Sequence, residues 1–200
     1  MYSRWLAATA LAYSVLHHLG LVPDGLGTTL DATRWTDWLD LAVPWLVLAP
    51  GAVTLHAARA PMRHWVLFAA GVVAYTSGHG IHLAANSVGN EDPGPTAHLW
   101  DEVVGHHLWY AGVALVLAAL ALTMRDRPRP HPVGHLLSLA VGLTWASNAI
   151  GGGTEVLSLL VAIAVCAFGW AHRKDLAVVL LVGFLPAVGV LVVALAGSLS

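Results

Sequence analysis

Seven apolar stretches, separated by short polar or glycine-rich segments, constrain most strongly what this chain can fold into. Each is near the roughly 20 residues that a helix needs to cross the hydrocarbon core of a bilayer. Backbone groups in lipid must be hydrogen-bonded within the protein, so such stretches cross as helices. The sequence therefore predicts an all-α polytopic membrane protein, a seven-transmembrane-helix bundle forming one domain over residues 1–200. The predicted spans are roughly 4–22, 36–58, 63–88, 97–124, 132–150, 154–171 and 175–197.

Composition excludes other classes of protein. The chain is 58% hydrophobic and 10% charged, with a mean hydropathy of +0.72, which is typical of an integral membrane protein and not of a soluble core. The formal net charge of −2, without a long basic run, argues against a nucleic-acid partner. Cys166 is the only cysteine, so an intrachain disulfide is impossible.

The first two spans contain sequence features that could alter how they cross the membrane. Arg4 followed by an apolar run is also seen in signal peptides, but no convincing small-residue cleavage site follows, so we expect a retained helix. Pro44 and Pro50 are expected to kink span 2, which is tolerated where neighbouring helices satisfy the freed carbonyl groups.

Basic residues fall on one side of the predicted bundle. The positive-inside rule makes that side cytoplasmic, which places the N-terminus in the cytoplasm and the C-terminus outside. Arg34 is the exception. We expect the cytoplasmic (plasma) membrane of a prokaryote to hold the protein. The residues on the basic side are Arg4, Arg59, Arg63, Arg125, Arg127, Arg129, Arg173 and Lys174.

Two clusters of ionisable residues lie inside predicted spans. The cluster in span 3 reads SGHGIHLAAN over 77–86, and the cluster in span 4 reads HLWDEVVGHH over 98–107. Ionisable groups in a bilayer are costly, so their default interpretation is functional, with partners among themselves. The short acidic loop 90–97 joins the two spans, which predicts that they are antiparallel neighbours.

Helical spacing brings the two clusters to a similar depth. Residues three or four apart share a helix face. Asp101 lies at the edge of the stripe in span 4, and the sequence leaves open whether Asp101 or Glu102 faces the site. His79 and His106 each lie roughly 13 Å below the outer boundary of the membrane. The aligned residues are His79 and His82 in span 3, and His98, Glu102 and His106 in span 4.

These side chains make a candidate metal site, because imidazole and carboxylate groups suit zinc and non-haem iron. Asp101 and His98 are further ligands, or they orient an imidazole from behind. The primary predicted ligands are His79, His82, Glu102 and His106.

Other residues on the outer side are predicted to support this site. Glu155 is a candidate general base, and His107 is expected to face another helix. Small residues allow helices to approach closely, which we expect at Gly78, Gly80 and Gly105. The residues predicted to line the same cavity are His17, His18, Asn148 and Glu155.

The pattern resembles that of the seven-helix membrane hydrolases that include alkaline ceramidases and adiponectin-receptor-like proteins. Ser77 with His82 matches the serine and histidine that this family carries on one helix, and Asp101 matches the aspartate that opens the next helix. The resemblance implies zinc and hydrolysis of a lipid-like substrate. The last span lacks the family's histidine pair, so His79 and His106 would have to replace it.

The sequence therefore favours a zinc-dependent membrane hydrolase that acts on an amide or ester of a lipid-like substrate at the outer leaflet. Asp101 or Glu102 would be a ligand or the base, and Ser77 would position water or the oxyanion. One alternative is a mono- or dinuclear iron centre, as in the membrane di-iron hydroxylases that the pairs His17-His18 and His106-His107 resemble. Another is a proton- or metal-coupled transporter, because histidine and carboxylate chains also relay protons. A polar network that only holds helices together is the remaining interpretation.

Overall fold

The structure, a computed structural model, describes residues 2–29 and 33–198, and every regular element in this part of the chain is helical. No β-strand occurs among these residues, where Thr28 and Arg34 make only an isolated bridge. The predicted all-α class is confirmed. A π-helical segment, Leu99–Gly105, joins α5 to α6, and two 3-10 turns follow α1. The α-helices are α1 (Tyr2–Leu16), α2 (Trp35–Asp40), α3 (Val43–Ala57), α4 (Met62–Glu91), α5 (Pro95–His98), α6 (His106–Met124), α7 (Pro132–Gly151), α8 (Glu155–Ala171) and α9 (Val178–Ser198).

Five helical stretches in the described residues are long and apolar enough to cross a membrane, which is the architecture of an integral membrane protein. Predicted spans 1 and 6 correspond to the shorter helices α1 and α8, of 15 and 17 residues. The five stretches of spanning length are Trp35–Ala57, Met62–Glu91, Pro95–Met124, Pro132–Gly151 and Val178–Ser198.

Helix α1 ends at Leu16, well before the predicted end of span 1 at residue 22. The chain then makes two 3-10 turns, in which Asp24 and Leu26 adopt left-handed conformations with φ of 54° and 62°. Side chains rarely tolerate this conformation, and a right-handed helix cannot continue through it. His17 and His18 therefore lie just beyond the helix and not within it.

Predicted span 2 is interrupted between α2 and α3, at residues 41–42. Pro44 is the second residue of α3 and has no backbone N–H, so it cannot donate to the carbonyl four residues earlier, that of Asp40. Pro50 lies inside α3 without ending it. The expected kink at Pro44 is thus a break in the helix, and it frees the Asp40 carbonyl for another partner.

Aromatic side chains link the long helices through the core. Consecutive rings have centroids 5.0 to 6.5 Å apart, close enough for the offset or edge-to-face contacts that aromatic pairs prefer. All five rings are buried. The series runs from Tyr75 of α4 through Trp109 and Tyr110 of α6 and Trp145 of α7 to Phe184 of α9.

Helices α4 and α6 pack antiparallel, as predicted for spans 3 and 4, with glycine at the contact. A Cβ added at Gly78 would lie 2.2 Å from the backbone nitrogen of Trp109, and one added at Gly105 would lie 2.9 Å from that of His82. Neither position has room for a larger residue, so the expected close approach is confirmed at both. The expectation for Gly80 is wrong, because nothing lies within 4 Å of a Cβ built there. This register fixes His82 beside the π-helical segment.

The two ends of the bundle differ in character. At the basic end, defined by Arg4 and the loops 58–61, 125–131 and 172–177, three loops meet. Arg127 donates to the carbonyl of Ala58 at 2.8 Å, and the carbonyl of Arg127 accepts from the N–H of Leu176 at 2.9 Å. The histidine end, defined by residues 17–29 and 33–42 and the loops 92–94 and 152–154, is opposite and carries the candidate site.

Candidate metal centre

His82, Asp101 and His106 come together at the histidine end. Each offers one metal-binding atom, and these atoms all lie within 4.8 Å of one another. His82 Nδ1 is 2.5 Å from Asp101 Oδ1, and the rings of His82 and His106 have centroids 4.3 Å apart. The His82 and Asp101 side chains are 18% and 13% exposed. The site is therefore a nearly enclosed set of two imidazoles and one carboxylate between α4 and the α5–α6 stretch.

The π-helical segment Leu99–Gly105 selects Asp101 for this group. The backbone N–H of His106 donates to the carbonyl of Asp101, five residues earlier, as in a π-helix. In an α-helix residues four apart would share a face, which is the reason the spacing favoured Glu102 with His106. The wider turn instead brings residues 101 and 106 to the same side. In the structure Asp101 faces His82, whereas Glu102 lies beside His106.

Glu102 occupies the rim of the group. Its Oε2 lies 3.2 Å from Nδ1 of His106, but the two atoms are not aligned for a hydrogen bond, because that nitrogen has no such partner among the described residues. The Glu102 side chain is 42% exposed. Glu102 is thus accessible beside the group and is not one of its three members.

The loop between α7 and α8 closes the site over His106. A Cβ added at Gly152 would lie 2.9 to 3.2 Å from three atoms of the His106 ring. Gly152 is buried. The glycine run 151–153 between α7 and α8 therefore supplies one wall of the site through Gly152, which its sequence did not reveal.

His79, predicted as a primary ligand, lies apart from the three-member group. Its Nε2 donates to the carbonyl of Asp40 at 3.0 Å and lies 3.5 Å from Asp40 Oδ1. This is the carbonyl that Pro44 leaves free. His79 is 1% exposed, and its Nδ1 has no hydrogen-bond partner among the described residues. The structure thus joins His79 to the break between α2 and α3.

His17, predicted only to line the cavity, is hydrogen-bonded at both ring nitrogens. Nδ1 bonds the carbonyl of Tyr13 at 3.0 Å, so it carries the proton, and Nε2 accepts from the Tyr75 hydroxyl at 2.7 Å. Asn148 donates to the His17 carbonyl at 3.5 Å. Its neighbour His18 bonds Thr144 at 3.2 Å. These bonds tie the end of α1 to α4 and α7.

Trp109 lies at the centre of the histidines. Its ring centroid is 4.6 to 5.7 Å from the ring centroids of four of them, so it forms a wall common to all four. Trp109 is three residues after His106 and therefore on the same face, which is the signal that could have found it. The four histidines are His17, His79, His82 and His106.

Three residues predicted for the site are not brought into it, and His107, which was not predicted for it, also lies outside. Ser77, His98 and His107 are exposed. His107 bonds the carbonyl of Val103 in its own helix at 2.8 Å, so the expectation that it faces another helix is wrong. Glu155 is half-buried at the start of α8, and no described contact joins it to the group.

The group has the donors and the geometry of a carboxylate–histidine pair beside a second histidine. A separation of 2.5 Å makes the His82–Asp101 contact a hydrogen bond, so Nδ1 of His82 holds the proton and Nε2 keeps a free lone pair. Carboxylates orient metal-binding imidazoles in this way. Nitrogen and oxygen donors, with positions left open, suit a catalytic zinc site.

Comparisons with protein-family models, with curated proteins and with solved structures find no match to this chain. Interpretation of the site therefore depends on its own geometry.

Proposed function

We propose that this chain is a zinc-dependent membrane hydrolase that cleaves an amide or ester bond in a lipid-like substrate. The observation that carries the proposal is the convergence of His82, Asp101 and His106 within 4.8 Å. Ionisable groups within membrane-spanning helices are costly and usually functional. Here three ionisable side chains lie together, two from the α5–α6 stretch and one from α4. A metal ion would stabilise such an arrangement.

A buried ring nitrogen without a hydrogen-bond partner at the histidine end supports the proposed metal ion. Nδ1 of His106 is buried without a hydrogen-bond partner among the described residues. A polar atom buried in this way costs about 1–3 kcal/mol, which a metal ion or an ordered water would offset. His106 belongs to the three-member group, so its free nitrogen is directly available to a metal.

A single metal fits better than two. The described part of the chain contains one group of three candidate ligands, and His98, needed for a larger set, is exposed. A dinuclear iron site needs more donors than this group provides. Zinc accepts three protein ligands and an open position. A bound Zn²⁺ would supply a water with its pKa lowered to about 7 and would polarise a scissile carbonyl.

The chain's own residues then have distinct roles. Asp101 would be the oxygen ligand, and it also accepts a hydrogen bond from Nδ1–H of His82, which fixes the orientation of that ring. Glu102, accessible at the rim and 3.2 Å from His106, is the carboxylate placed to take a proton from water. Trp109 and Gly152 wall the group on two sides and limit the entry of water. Ser77 has no part in this mechanism because its side chain is exposed.

We propose seven spans, with α1 and α8 as the two short ones, and with the basic end in the cytoplasm. The gathering of three basic loops at one end supports this orientation through the positive-inside rule. His82 lies nine residues before the end of α4 at Glu91, which is about 14 Å along the helix. A site at that depth on the outer side is accessible from the bilayer, so we propose a lipid-like substrate.

Zinc content is the first test. The full chain, purified in detergent and incubated with zinc, should hold about one zinc per chain by elemental analysis. The His82→Ala/His106→Ala variant should hold none. His107→Ala is the matched control, because it removes a neighbouring histidine that is exposed, and it should keep the metal.

Activity is the second test. Zinc-loaded protein should hydrolyse a long-chain amide or ester, and both the double variant and chelator-treated wild type should lose that activity. A folded wild-type protein that binds no zinc, or a double variant that keeps it, would contradict the metal site. A zinc protein without hydrolytic activity on either class would contradict the reaction alone.

A further inference from the structure

A large apolar cavity lies on the side of the bundle that the metal centre does not use. Its volume is about 520 Å³, within the range of ligand-binding pockets. Helices α1, α6, α7 and α9 and the loop 125–131 supply most of its wall. None of His82, Asp101 or His106 lines it. It is therefore a second site, independent of the proposed function.

The cavity has the depth of one leaflet. On α1 its lining runs from Ser3 to Tyr13, a separation of ten residues, which is about 15 Å along the helix axis. Half of a hydrocarbon core of about 30 Å is about 15 Å. A lipid acyl chain that enters from the basic end therefore matches the cavity in length.

Three of the polar side chains along the wall have their hydrogen bonds directed elsewhere. Ser138 donates to the carbonyl of Val179 at 2.6 Å, and Trp145 Nε1 donates to that of Ser158 at 3.1 Å. The Tyr75 hydroxyl is bonded to His17. The inner part of the cavity thus offers an apolar surface, which favours a hydrocarbon chain over a polar ligand.

The mouth of the cavity carries unneutralised positive charge. Arg4 and Arg129 line it at the basic end, together with His131, and all three are exposed. Among the described residues no carboxylate lies within salt-bridge distance of Arg4 or Arg129, whereas Arg125 is paired with Asp126 at 3.2 Å. Two arginines beside an apolar cavity are complementary to an anionic head group on an apolar tail.

We infer that this cavity binds a long-chain fatty acid, with its acyl chain among α1, α6, α7 and α9 and its carboxylate at Arg4 and Arg129. The volume favours one chain and not the two chains of a phospholipid. The tail then approaches Tyr75, whose hydroxyl reaches His17 at the histidine end. The head group and the tail thus bind to two different parts of the site, and the contribution of each part can be tested separately.

Equilibrium binding of radiolabelled palmitate to the detergent-purified full chain tests the inference. We expect saturable binding at one site. Ala10→Trp, which fills the cavity, should weaken it at least tenfold, and Arg4→Gln/Arg129→Gln should weaken it about fivefold to tenfold. Leu11→Trp, on the exposed face of α1, and Arg63→Gln, outside the cavity, are the matched controls and should bind as wild type.

Competition and a second cavity variant complete the design. If Ala10→Trp does not fold, Leu117→Trp fills the same cavity from α6. The methyl ester of palmitate should bind wild type as weakly as palmitate binds the double arginine variant. Unchanged palmitate binding in the cavity variants would overturn the inference. Displacement of palmitate by an equal concentration of phosphatidylglycerol would overturn the assignment to a single-chain ligand.

Discussion

The α4–α6 and α7–α9 pairs both pack through glycine, and only the first of them carries ionisable side chains beside the contact. In the α4–α6 pair, Gly78 lies against the backbone of Trp109, and Gly105 lies against that of His82. The close approach brings His82 within hydrogen-bonding distance of Asp101, whose carboxylate belongs to the other stretch.

The α7–α9 pair also packs closely through glycine, but no ionisable side chain among the described residues lies at the contact. A Cβ at Gly142 would lie 2.0 Å from the carbonyl oxygen of Gly183. The polar side chain at this contact is Ser138, whose hydroxyl donates to the carbonyl of Val179 at 2.6 Å. Close packing and a neutral hydrogen bond hold these helices together, as is usual between membrane helices.

The difference teaches that glycine contacts by themselves do not indicate function. They set the distance between two backbones, and the residues one turn away decide what that distance is used for. In α4 and α6 those residues are His82, Asp101 and His106. In α7 they are neutral residues, among them Ser138 and Trp145. Substituting matched glycines in the two pairs tests this difference.

Gly78→Ala should have the largest effect. The added Cβ would lie 2.2 Å from the Trp109 nitrogen, so α4 and α6 must move apart. Overpacking of this kind costs about 1–3 kcal/mol. We expect a lower free energy of unfolding in detergent and, because His82 moves away from His106, a loss of zinc from the protein that stays folded. Gly80→Ala on the same helix, where nothing lies within 4 Å, should change neither quantity.

Gly142→Ala is the counterpart in the other pair. It should lower the free energy of unfolding by a similar amount, because its Cβ would meet the Gly183 carbonyl. Zinc per folded chain should stay near one, because the metal group lies on α4 and the α5–α6 stretch. Equal loss of zinc in Gly78→Ala and Gly142→Ala would contradict the conclusion that only the α4–α6 pair holds the metal group.

Much of the α4–α6 pair could be predicted from its sequence. The short loop 90–97 predicts antiparallel neighbours, and the spacing of His79 and His82 places both toward the helix that carries His106. These inferences depend only on chain connectivity and helical periodicity. The same reasoning located the histidine end without any knowledge of packing.

The choice among site residues could not be predicted, because it depends on departures from regular helix. The π-helical segment replaces Glu102 by Asp101, and no spacing rule for an α-helix anticipates it. The break before Pro44 frees the Asp40 carbonyl. This carbonyl accepts a hydrogen bond from His79, which therefore lies outside the metal group. Pro44 by itself predicts the interruption, but the partner that takes the freed carbonyl depends on tertiary packing.

Asp101→Asn should have the next largest effect. The amide keeps the shape of the side chain but removes the charge that orients His82, so zinc should bind about 10- to 100-fold more weakly. Competition with a zinc chelator measures the affinity. Glu102→Gln is the matched variant: its side chain is 42% exposed and outside the group, so zinc affinity should change little while hydrolysis falls.

The opposite ranking of these two variants would show that the α-helical stripe, and not the π-helical segment, describes the site in the membrane. A weaker zinc affinity in Glu102→Gln than in Asp101→Asn would therefore contradict the geometry of the group. Equal effects would indicate that both carboxylates contact the metal, which would contradict the placement of Asp101 within the group and of Glu102 outside it.

Pro44→Ala should have the smallest effect, and it tests the contact of His79 with the helix break. The new backbone N–H competes with His79 for the Asp40 carbonyl, so the bond from His79 weakens. A neutral hydrogen bond contributes about 1 kcal/mol net. A double-mutant cycle with His79→Phe should therefore give a coupling energy of about 0.5–1 kcal/mol between positions 44 and 79.

Pro50→Ala provides the control for this cycle. It also replaces a proline within α3, but the carbonyl it would engage is that of Leu46, which makes no described contact with His79. Its coupling energy with His79→Phe should be near zero. Zinc content should stay at the wild-type level in every variant of the cycle, because His79 is outside the three-member group. Loss of zinc in His79→Phe alone would return His79 to the metal centre and would mean that its free Nδ1, rather than its bond to Asp40, determines its role.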